Sequence, residues 1–182
     1  MSTNCWLRSL LVFPLVVFLL PAGFTQQQLS SPLALDVRVD RKTYSISDKL
    51  KMEVQLTNIS QEDIYVYEWY LCWGQGPALN LQVFDASGKF IGPGFTFDCV
   101  PPPPKPGDLT QFARIEPAKF YGIRDTFGLR ELVKKSGEYD LVVQCGAFLP
   151  TDYWAKEGFP NLNYWTSKHP RLKAKVHITV TR

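Results

Sequence analysis

The chain has 182 residues, 45% of them hydrophobic and 20% charged, with a formal net charge of +3. It is long enough to bury an ordinary core, and its length fits one domain. Twenty basic side chains stand against 17 acidic ones without a concentrated basic patch, which argues against a nucleic-acid surface.

The first element is apolar. Leu10 to Leu20 reads LLVFPLVVFLL, preceded by Arg8 and followed by Pro21, Ala22, Gly23, Thr25 and the polar run Gln26 to Gln28. Charged, apolar and small-residue regions in that order read as a secretory signal peptide, cut after Thr25. That division gives a leader at 1–25 and a domain at 26–182. The run is shorter than the roughly 20 residues of a permanent span, and Pro14 weakens it further. The competing reading is an uncleaved anchor. No later run could span a bilayer, so no stable membrane span is expected after cleavage. Loss of Arg8 leaves a net charge of +2. The expected location is secreted or periplasmic, and therefore oxidising.

The strands follow. Leu33, Leu35, Val37 and Val39 alternate with polar or small residues, as do Leu50, Met52, Val54 and Leu56. Ser45, Ser47 and Asp48 mark a turn between them. Ile64 to Tyr70 is β-branched and aromatic. Leu79 to Phe84 and Lys89 to Ile91 flank Asp85-Ala86-Ser87-Gly88, a hairpin loop. Pro101 to Pro104, Pro106 and Gly107 make an extended rigid connection, since proline has no N–H to give a ladder. Phe112 to Ile115 and Lys119 to Ile123 read as short strands, and Leu129 to Lys134 as one helical turn. Tyr139, Leu141, Val143 and Cys145 alternate again, and Leu172 to Val180 closes the domain with the same period. The expectation is an all-β, antiparallel β-sandwich of about seven to nine strands.

Gly137 stands two residues before Tyr139, which opens a late strand. This resembles the tyrosine corner of immunoglobulin-like and fibronectin-type sandwiches, where the hydroxyl bonds back to the upstream backbone. With Asp48-Lys49 and Thr57-Asn58 around the second strand, the chain resembles bacterial immunoglobulin-like sandwich domains, among them the bacterial proteinase-inhibitor domain. The resemblance implies a fold and brings no inhibitory or catalytic residue with it. It departs from the antibody pattern two residues after the tyrosine, where Leu141 stands in place of a cysteine.

Cys5 leaves with the leader, and Cys72, Cys99 and Cys145 remain. An odd count in an oxidising compartment implies one bridge and one leftover thiol. The spacings do not suit zinc, and neither a metal nor a cofactor is expected. The hairpin returns the chain to the end where Cys72 left it, so a Cys72–Cys99 bridge is expected, with Cys145 buried and free. The competing pair is Cys99–Cys145.

Function falls to the connection at 146–170, longer than ordinary strand connections. It carries Tyr153, Trp154, Phe159, Tyr164 and Trp165, side chains that dominate binding hot spots. They would form a binding surface with Trp154 and Trp165 as anchors, or else pack as the loop's own small core. Trp69, Tyr70 and Trp73 are expected to pack beside Cys72. Catalysis finds no support: Gly-x-Ser-x-Gly is absent, and His177 falls on an outward strand phase. Asn58-Ile59-Ser60 fits a glycosylation acceptor on a turn. The expected function is a non-catalytic module that binds a protein or an extracellular polysaccharide through the aromatic loop. The alternatives are a proteinase inhibitor or chaperone-like partner presenting Gly92 to Gly107, and a purely structural domain.

Overall fold

The computed structural model describes residues 31–73, 78–92 and 104–182. The leader, Cys99 and the prolines at 101–103 lie outside the described residues, as does most of the rigid connection after Gly92. Ten strands are present among the described residues, in an all-β sandwich. They are β1 (Leu33–Val39), β2 (Thr43–Ser45), β3 (Lys49–Asn58), β4 (Ile64–Tyr67) and β5 (Asn80–Asp85). β6 (Phe90–Gly92), β7 (Phe112–Ile115), β8 (Phe120–Gly128), β9 (Gly137–Cys145) and β10 (Leu172–Thr181) follow. The helices are single turns, α1 (Leu129–Leu132) and α2 (Tyr153–Lys156).

One sheet has the order β1-β3-β8 and the other β2-β10-β9-β5-β6, while β4 and β7 pair by themselves. The inward phase of β3 (Leu50, Met52, Val54, Leu56) is buried, as are Leu81, Val83, Leu141, Val143, Ile178 and Val180 of the larger sheet. Each such side chain contributes about 1.5–3 kcal/mol of transfer free energy. The period-two alternation places them: residues of one parity face the other sheet, and the charged residues between them face water.

The larger sheet is mixed, which corrects the wholly antiparallel expectation. β2 runs parallel to β10, with Thr43 opposite Thr179 and Ser45 opposite Thr181. After β1 the chain crosses to the other sheet. Tyr44 holds the crossover from inside the core, its hydroxyl donating to Asp40 Oδ1 at 2.7 Å. The Ser45-to-Asp48 turn conceals this strand in the sequence. The expected strand at 64–70 also shortens: β4 stops at Tyr67, and Glu68–Leu71 form a 3-10 turn.

Asn58 closes β3 from within. It is fully buried; its amide donates to the Glu62 and Ile115 carbonyls, both at 2.7 Å, and its Oδ1 accepts from Ser60 N at 2.9 Å. The Asn58-Ile59-Ser60 sequon is therefore closed in the folded chain. Both amide hydrogens are engaged inside the fold, so the nitrogen is not presented to a glycan donor.

Candidate functional site

The 146–170 connection is pinned to the sandwich. Tyr65 N donates to Asn163 O and Trp165 N to Tyr65 O, both at 2.9 Å, so the loop adds a rung to β4. Ser167 N donates to Leu149 O at 2.9 Å and closes its base. Trp154 lies 4.8 Å from the Phe112 ring and 5.1 Å from Tyr67, and Trp165 lies 6.0 Å from Tyr70. Trp154 and Trp165 are each 1% exposed, Phe159 6% and Tyr164 7%.

These positions correct the expected binding surface. Four of the five candidate residues belong to the core, and only Tyr153 is half-buried. The cause is the β4–β7 pair, whose Tyr67 and Phe112 offer an aromatic wall that the loop covers. Rings of this size gain more from burial and edge contacts than from exposure.

The sheet faces offer what the loop does not. On the outer side of the larger sheet, His177, Asp140, Phe84 and Phe90 occupy one row across β10, β9, β5 and β6. Phe84 and Phe90 contact each other with centroids 5.6 Å apart, and Phe90 is 55% exposed. The hairpin fixes them. Asp85 Oδ1 accepts from Ser87 N at 2.9 Å and Lys89 N at 3.0 Å, and Gly88 takes the left-handed conformation, φ 79°, that the turn requires.

Beside the rings runs a polar ladder. His177 Nδ1 is 2.9 Å from Asp140 Oδ1, and its Nε2 is 2.6 Å from Glu138 Oε2. Lys175 Nζ donates to Asp140 Oδ2 at 3.0 Å, and Thr179 Oγ1 to Glu138 at 2.9 Å. Gln144 Nε2 donates to Gln82 Oε1 at 3.2 Å. The Asp140 and Glu138 hydrogen bonds push the His177 imidazole above its ordinary value, and the His177 and Lys175 bonds hold Asp140 below the usual carboxylate range. Val142 is buried on this outer side, in one row with Lys175 and Gln82 and between them. Sequence parity gave His177 an outward direction. It did not give the cross-strand register that sets Asp140 and Glu138 beside it.

The Tyr139 hydroxyl donates to Lys135 O at 2.8 Å, across the turn that contains Gly137. Cys145 is buried and free, and burial pushes its thiol up to about 12. It donates to Tyr70 O at 3.4 Å, which excludes the Cys99–Cys145 alternative. Cys72 is disulfide-bonded, and Cys99 lies outside the described residues. Among the described residues no helix is long and apolar enough to cross a membrane, and no group of three or more His, Cys, Asp or Glu residues could hold a metal ion.

No known protein family matches the chain, and no curated protein matches it. Solved structures are similar in fold outline only. The CARDB domain of a Pyrococcus furiosus protein, solved in complex with di-metal ions, is 8% identical over 82% of this chain and 87% of its own, with a TM-score of 0.38. A sporulation control protein of Bacillus subtilis is 10% identical over 84% of this chain and 50% of its own, at 0.42. A β-glucosidase of Erythrobacter marinus is 11% identical over 82% of this chain and 16% of its own, at 0.39.

Proposed function

We propose that this protein is a secreted or periplasmic, non-catalytic binding module of immunoglobulin-like kind, and that it recognises an extracellular polysaccharide with the outer face of its larger sheet. One observation carries this reading. The contacting Phe84–Phe90 rings lie in the same row as hydrogen-bonding groups already aligned across β9 and β10. Ring faces beside amides, carboxylates and an imidazole match the alternating apolar and hydroxyl surfaces of a sugar chain. The Tyr139–Lys135 hydrogen bond supports the immunoglobulin-like kinship, and the leader supports export.

Phe90→Asp tests the reading, because its exposed ring can be replaced without opening the core. Affinity electrophoresis of residues 26–182 against a panel of envelope and plant polysaccharides is expected to show retardation by at least one. Phe90→Asp is expected to lose that retardation at an unchanged melting temperature. Retardation that persists in Phe90→Asp, or none across the panel, overturns the sheet-face reading. Capture of a protein through the same ring would assign the face to a protein partner instead. A structural role is the second reading, and the burial of the loop aromatics favours it.

A further inference from the structure

With its rings turned inward, the 146–170 connection presents a different chemistry to the outside. A pocket of about 180 Å³ opens between α2 and the 160–164 turn, lined by Thr151, Ala155, Asn161, Asn163, Tyr164, Thr166 and Lys168 among others. It stands apart from the sheet face and rests on none of its residues.

Three features define what it would hold. The first is charge. Lys168 is the single charged residue of the lining and has no ion-pair partner among the described residues. Asp152, the nearest acid in sequence to Thr151, is already paired with Lys156. The second is a dense set of neutral polar groups. Thr166 is 1% exposed, and its hydroxyl lies 3.4 Å from that of Thr151, too far apart for a strong mutual bond. Asn163 uses its amide on Glu62 Oε2 at 3.3 Å, which leaves its oxygen as an acceptor. The third is rigidity. The Tyr164 hydroxyl donates to Pro160 O at 3.0 Å, and Thr166 N donates to His169 Nδ1 at 3.2 Å, so the walls are held before any ligand arrives. Pro160, Leu162 and Tyr164 supply an apolar side.

The volume falls below the roughly 300–1,000 Å³ of sites for drug-sized ligands, so the occupant is one small unit. One free cation, several neutral donors and acceptors and a short apolar wall describe a polyhydroxylated carboxylate. We propose that this pocket binds a single sugar acid of the hexuronate class, its carboxylate at Lys168 and its hydroxyls among Thr151, Asn161 and Asn163, with buried Thr166 backing Thr151.

The test is a titration of the 15N-labelled domain, residues 26–182, followed by amide chemical shifts. Glucuronate is the probe, with glucose and acetate as controls. Saturable shifts confined to 151–168 are expected with glucuronate, and shifts much weaker with glucose, which lacks the charge, and with acetate, which lacks the ring. Lys168→Met is expected to weaken glucuronate binding about tenfold, the loss of one charge-assisted hydrogen bond. Asn161→Ala is expected to weaken it less. Both positions are exposed, so an unchanged spectrum away from the loop verifies folding. Equal shifts with glucose or acetate, no saturable shift with glucuronate, or wild-type binding by Lys168→Met would each overturn the proposal. Phe90→Asp leaves this titration unchanged, so failure here and failure of the sheet-face reading are separable.

Discussion

Asn58 shows how much one polar side chain can settle. It ends β3, spans to β7 through the Ile115 carbonyl and shapes the 59–62 turn through Glu62 and Ser60. Asn58→Ala is expected to leave the buried Ile115 carbonyl without this donor and to cost about 1–3 kcal/mol in urea unfolding. A change below about 0.5 kcal/mol would show that the turn forms without it. At His177 the expectation concerns pH. Its two carboxylate neighbours raise its pKa, so its stabilising effect is complete below the ordinary value of 6.5 and fades as pH climbs through the raised folded value. A 1H–13C NMR titration is expected to place the His177 imidazole above 6.5, and Asp140→Asn is expected to lower it. The melting-temperature difference between wild type and His177→Asn is expected to be larger at acid than at alkaline pH; the opposite order would remove the ion pairs from the account. Neither role was legible in the sequence. Asn58 read as an acceptor on a turn and His177 as a solvated outward residue, because both depend on partners dozens of positions away.

At the scale of elements, periodicity carried the reading. β1, β3, β9 and β10 lie where their alternation places them, and the Asp85-to-Gly88 loop joins β5 to β6. Two of the misplaced elements share a cause. β2 has only three residues, too few to show a period, and it is recruited by an edge of β10 that forms from the far end of the chain. The 146–170 aromatics have the composition of a binding surface, and composition does not reveal that β4 and β7 leave an aromatic wall for them to cover. Trp154→Ala is accordingly expected to destabilise the protein by about 3–5 kcal/mol, with loop and sandwich unfolding in a single transition. A small loss confined to the loop would mean that the rings pack without supporting the core. Tyr153, half-buried at the rim, is the one candidate that keeps a contact edge toward solvent.

At the scale of the molecule, the all-β class and the sandwich follow from strand spacing. The division into β1-β3-β8 and β2-β10-β9-β5-β6 follows from register, which local pattern does not encode. The two proposed surfaces are products of that division. One is a sheet face completed by four strands, and the other is the outside of a loop whose inside is core.

The parallel pairing of β2 with β10 also sets an order of events. Thr43 waits for Thr179, and the Ile46 amide for the Thr181 carbonyl. A chain synthesised amino end first completes β10 after every other described strand. In the larger sheet β2 has no partner until β10 arrives between it and β9. Such long-range closure slows folding relative to domains built on local contacts. Until β10 is in place the β9 edge stands open, and the sandwich is complete only when that last strand covers it.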